Sequence, residues 1–244
     1  MLNTETLNKF KLYLIEDEKS GATIEKYIRD VKKLKDFVCS KMLTKELVLK
    51  FKKSLTEAYA PASVNSILSS VNSFFDFLNL PSLKVKMLKI QKQIFSDKNK
   101  ELSKEEYLRL LNAAKIKNNQ TLYYLMQTIC SSGIRVSELK HITVEAVNLG
   151  YANIRNKGKI RCVLLPKDLC KILKSYKKAK KISSGPLFVS KTGKPLDRSQ
   201  IWKMMKSLCK SAGVSREKVF PHNLRHLFAR TFYSIQKDIV RLAD

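Results

Sequence analysis

The chain has 244 residues, 44% of them apolar, which is enough for one large domain or two modest ones with buried cores. Its 48 Lys and Arg oppose 21 Asp and Glu, a net +27 that resists compaction and calls for a polyanionic partner, nucleic acid before an anionic membrane surface. No apolar run approaches the roughly 20 residues a membrane span requires, the five cysteines form no C-x-x-C pair and argue against a disulfide frame or zinc knuckle, and Met1–Glu5 lacks a basic leader, so the expectation is a cytoplasmic protein with reduced thiols.

Residues 1–83 read as four amphipathic helices. Leu7, Phe10 and Leu14 recur at helical spacing, and Ile24, Tyr27, Ile28, Val31, Leu34 and Phe37 continue it over a longer stretch. A third segment follows Thr44. The fourth begins at Pro61, a good first-turn residue, and carries Val64, Leu68, Val71, Phe75 and Leu78. Their apolar stripes are expected to form the core of a small bundle. Residues 84–100 turn polar and lysine-rich, and read as a basic interdomain linker.

A second domain over 101–244 opens on a capping box, Ser103 with Glu106, ahead of helices at about 104–115 and 120–131. Ala152–Arg155 and Arg161–Leu164 suggest two strands around the turn Asn156-Lys157-Gly158-Lys159. Helices are expected at about 168–180 and 198–211, and another after Pro221. The fold class is therefore mainly α with a small antiparallel β-sheet. The charge is uneven: residues 1–98 have 18 basic against 11 acidic side chains, a net +7, whereas 99–244 have 30 against 10, a net +20.

Four pieces carry candidate chemistry: Gly133-Ile134-Arg135-Val136-Ser137-Glu138-Leu139, Lys157 in the hairpin turn, His222-Asn223-Leu224-Arg225-His226, and the closing run from Asp238 to Asp244. Singly, each has a bland reading. An arginine after a glycine is usually a surface or capping residue, and a turn lysine is usually just solvated. His222 and His226 stand four apart, but no glutamate follows His222 and His141 is the only other histidine, so no metal is expected.

Together and in this order, the pieces resemble the tyrosine recombinase family, which includes phage integrases. The Arg135 segment resembles that family's first-arginine box. Lys157, 22 residues on, is similar to its β-hairpin lysine, and His222–His226 matches its H-x-L-R-H box. The resemblance implies a four-helix core-binding, SAM-like domain followed by a recombinase catalytic domain. It implies double-stranded DNA as partner, self-association on DNA as a tetramer, and strand breakage and rejoining through a 3′-phosphotyrosyl intermediate.

The chemistry fits these residues. Guanidinium groups of Arg135 and Arg225 match the non-bridging oxygens of a phosphodiester and stabilise its charged transition state. Lys157 could protonate the leaving 5′ oxygen, and the resemblance implies a hydrogen-bonding or proton-transfer role for His222, one turn before Arg225, and a supporting one for His226. Covalent storage of the bond energy removes any need for ATP, and no cofactor is expected. The family's nucleophilic tyrosine lies about thirty residues beyond the second arginine, but Arg225 is followed by 19 residues, of which only Tyr233 is a tyrosine. The expectation is a C-terminally truncated catalytic domain with no nucleophile of its own. The alternative is an inactive DNA-binding fragment that competes with or regulates an intact recombinase. A basic helical transcription factor or RNA-binding protein would explain the charge but not the ordered series of Arg135, Lys157, His222 and Arg225.

Overall fold

The computed structural model describes residues 3–39, 41–91, 100–156 and 159–236, and the chain divides into two compact units, Met1–Ile94 and Phe95–Asp244. The first holds α1 (Thr4–Glu16), α2 (Gly21–Val38), α3 (Lys45–Ala58) and α4 (Pro61–Phe77). Polar side chains start three of them: Asn3 accepts the N–H of Thr6, Ser20 that of Thr23 and Thr44 that of Leu47. Pro61 opens α4, as its missing N–H allows. The apolar stripes face inward, with Phe10 packed edge-on against Phe74 at 5.0 Å between centroids. One member departs from the sequence reading. Phe37 is exposed and leans on Phe51, while Val38, one position on, fills the core.

The start of the lysine-rich stretch lies on this first unit. Leu83 and Val85 are buried in its core. The Asn72 amide donates to Val85 O and accepts from Val85 N, and Asn65 does the same for Leu88. Asparagine can thus satisfy an extended chain as a neighbouring strand would. These partners sit 13 and 23 residues apart, a distance no local pattern reveals. Residues 92–99 of the linker expectation lie outside the described residues.

The second unit holds α5 (Lys104–Ile116) and α6 (Gln120–Ser132), then a 3-10 turn at Val136–His141 and α7 (Val144–Leu149). It continues with strands β1 (Tyr151–Asn156) and β2 (Lys159–Leu164), then α8 (Lys167–Ala179), α9 (Arg198–Lys206), α10 (Cys209–Ala212) and α11 (Pro221–Gln236). The capping box forms: Ser103 accepts Glu106 N–H, and Glu106 accepts Ser103 N–H at 2.8 Å. The strands pair antiparallel with Tyr151 opposite Leu164. Ala152, Ile154 and Val163 face the core.

Two local features differ from the sequence reading. The 3-10 turn and α7 span six residues each, too short to show a period. The helix expected over 198–211 is broken at Ser207 and Leu208. Ser207 Oγ bonds back to Met204 O, its own carbonyl accepts Lys117 Nζ at 2.7 Å, and Leu208 is fully buried. No described helix is long and apolar enough to cross a membrane.

Candidate active site

The site is built where α6 ends. Gly133 caps that helix with a left-handed backbone, φ +61°. A Cβ at this position would lie 2.5 Å from the Phe228 ring of α11. The turn after it buries Ile134 and presents Arg135 with half its side chain exposed. Arg135 precedes the 3-10 turn, and Glu138 reaches back to it. Glu138 Oε2 accepts the Arg135 backbone N–H at 2.9 Å, and Oε1 accepts its guanidinium at 3.2 Å. Arg161 of β2 donates to the same Oε2 at 2.5 Å.

Glu138 is only 3% exposed. Burial raises its pKa, but the Arg135 N–H and then the Arg161 and Arg135 guanidiniums outweigh that and hold the carboxyl below its ordinary value of 4.5. It is thus an anion placed among cations.

The second element of the site is α11, which packs against α6. Leu224 and Leu227 are buried on its inner side, while His222 and Arg225, three residues apart, share another stripe. Asn223 is buried and fixes the start of the helix by donating to Lys100 O and Lys218 O at 2.7 and 2.8 Å. The Arg225 guanidinium donates to Gly133 O, tying α11 to the α6 cap. Burial lowers the pKa of Arg225 first, and the charges of Arg135 and Arg161 lower it further. The like charges are held together by the fold, an arrangement suited to a polyanionic ligand.

His226 stands edge-on to His222, with ring centroids 4.3 Å apart. His222 has its pKa lowered below 6.5, first by desolvation and then by the charges of His226, Arg225, Arg198 and Arg135. The unfolded chain therefore takes up this proton before the folded one. The stability tied to a neutral His222 is complete above pH 6.5 and is lost as pH falls through the folded value. The wild-type Tm should fall more steeply between about pH 7.5 and about pH 5.5 than that of His222→Gln. Parallel profiles would mean that neither burial nor the neighbouring cations lower the pKa of this ring.

The structure thus brings Arg135, Arg225, His222 and His226 of the sequence candidates into one region. Lys157 lies outside the described residues. Sequence reasoning did not single out Glu138 as a site residue, although it stood in the quoted box, nor Arg161. The signal for Glu138 was an acidic residue three positions after Arg135. None existed for Arg161, whose partner is 23 residues away.

Residues 100–243 match the profile of the phage integrase family, and residues 7–80 that of the phage integrase N-terminal SAM-like domain. The chain is 34% identical over 225 residues to the tyrosine recombinase XerH of Campylobacter jejuni, aligning 84% of this chain and 64% of that protein. It thus spans less than two thirds of that relative's length. It is 30% identical over 239 residues to the tyrosine recombinase XerA of Pyrococcus furiosus, aligning 93% of this chain and 80% of that one. Its fold is that of lambda integrase residues 75–356 bound to DNA, with a TM-score of 0.77 at 18% identity over 97% of this chain and 88% of the other. Two successive domain matches over the two units, together with these relatives, establish that the chain belongs to the phage integrase family of tyrosine recombinases.

Proposed function

We propose that the chain serves site-specific recombination of duplex DNA, with Arg135, Lys157, His222 and Arg225 as its phosphate-handling residues and His226 in support. The observation that carries this reading is the gathering of Arg135 and Arg225, 90 residues apart in sequence, in one region whose anion is buried Glu138. Such a pair can clamp the two non-bridging oxygens of one phosphate while charge builds on it. In the reaction a tyrosine hydroxyl attacks phosphorus, the 5′ oxygen departs, and a phosphotyrosyl bond replaces the phosphodiester. Lys157 is suited to protonate the departing oxygen. Self-association on DNA belongs to the same reading.

Tyr233 is not assigned as the nucleophile. It is exposed on α11, eight residues after Arg225. That separation is about 12 Å along a helix, which cannot fold back on its own earlier turn. These 244 residues should therefore bind DNA and form no SDS-stable adduct with it. An adduct that disappears in Tyr233→Phe would overturn this part of the reading. A mixing assay with an intact recombinase of matching site would test the competitor role. A chain that neither competes for site DNA nor changes the recombination rate has no such role.

Affinity for a short duplex should fall steeply with salt, with a log–log slope of about −0.9 for each phosphate neutralised. A flat response would remove DNA as the substrate. A duplex selected for tight binding should then be scanned with single neutral methylphosphonates. One phosphate should dominate in the wild type, and its substitution should cost little extra in Arg225→Ala. An even spread of small effects would favour the transcription-factor alternative.

A further inference from the structure

Arg161 occupies a position where its charge needs explaining. Strand β2 alternates, and Val163 on the same face is buried in the core, while Ile160 and Leu164 on the other face are exposed. An apolar residue would be the ordinary choice at 161. Instead a guanidinium stands there with only about a quarter of its side chain exposed, its Nη2 on Glu138 Oε2 at 2.5 Å. Its Nε is buried and makes no hydrogen bond among the described residues. The Glu138 contact therefore governs its orientation.

That carboxylate oxygen also accepts the Arg135 backbone N–H, and its twin accepts the Arg135 guanidinium. One buried anion thus joins the turn carrying Arg135 to Arg161 of β2, a strand that begins two residues after Lys157 in sequence. From this junction we infer that Arg161 is a positioning residue. Through Glu138 it sets strands β1 and β2 against the Arg135 turn. This rests on the recombinase reading for its purpose, though the junction itself does not. A buried ion pair is a poor source of stability compared with an apolar replacement, so retention of charge here is better explained by geometry.

The test compares Arg161→Met, which fills the space without charge, with Arg161→Lys, which keeps a cation for Glu138. In the DNA-free protein, Arg161→Met should speed amide exchange in β1 and β2 by about tenfold, with α5 and α6 within about twofold of wild type. Unchanged hairpin exchange overturns the proposal, as does equal acceleration in α5 and α6, which would mark a general packing role.

The second arm labels lysines with an amine-reactive reagent, with and without a short random-sequence duplex, and reads Lys157 by mass spectrometry. Duplex should protect Lys157 about fivefold in the wild type and less than about twofold in Arg161→Met, while overall affinity, spread over many lysines, changes less than about threefold. Arg161→Lys should recover at least half of the lost protection. Full protection in Arg161→Met overturns the proposal. A wild-type chain whose lysines gain no protection from duplex refutes the DNA reading instead, and the exchange data then decide the junction alone.

Discussion

Glu138→Ala should destabilise the second unit by about 3–5 kcal/mol, a fall of roughly 10 °C in Tm or more. The carboxylate is buried and carries a backbone N–H and two guanidiniums. Its removal leaves Arg161, itself mostly buried, without its only charge partner among the described residues, and leaves Arg135, Arg161 and Arg225 to repel one another. Breaking a buried pair on one side is costly because the surviving charge has lost its water as well as its partner. Arg135 is half exposed and can rehydrate, so the larger share of the loss comes from Arg161.

Glu138→Gln should lie between the two, since it keeps an acceptor for the Arg135 N–H and gives up the charge. Added inorganic phosphate should raise the Tm of Glu138→Ala more than that of the wild type, because an anion can enter among the freed guanidiniums. A loss below about 1 kcal/mol, the scale of a solvated surface pair, would show that Glu138 does not hold the cluster. The same carboxylate ties stability to acid. Its pKa is depressed below 4.5, so its contribution is complete above that value and lost as pH falls through the folded one.

Gly133→Ala should cost about 2–4 kcal/mol, since two penalties add at one position. The backbone is left-handed at φ +61°, which an L side chain adopts only at a cost. The new Cβ would also meet the Phe228 ring at 2.5 Å, so the ring or α11 must move. Gly133 O accepts the Arg225 guanidinium, so that movement reaches the site. Chemical denaturation should show the loss, and the dominant methylphosphonate effect on the selected duplex should shrink with it. In Gly133→Ala combined with Phe228→Ala, the steric penalty should vanish and the backbone penalty remain, giving a clearly non-additive cycle. Additive losses would mean that the ring does not limit this position.

Much of the local architecture was legible without coordinates. The helical spacing of Leu7, Phe10 and Leu14, the start at Pro61 and the Ser103–Glu106 box each act within a few residues, where backbone geometry and side-chain chemistry suffice. The hairpin was legible because its turn is short and its strands alternate. The six-residue elements after Gly133 were not, since a single turn has no period to read. Nor was the break at Ser207, whose carbonyl accepts Lys117 from α5's end, 90 residues earlier.

For the candidate site, the sequence by itself determined the residue types and their order: Arg135, Lys157, His222 and Arg225, with a strong positive charge around them. Only the tertiary structure decided that Glu138 is buried between Arg135 and Arg161, that Arg225 docks on the carbonyl of the α6 cap, and that the chain after α4 lies along Asn65 and Asn72. The physical reason is range. Capping and periodicity act through neighbours in the chain, whereas an ion pair or a close approach of ring to backbone depends on which distant residues the packed core brings within a few ångströms.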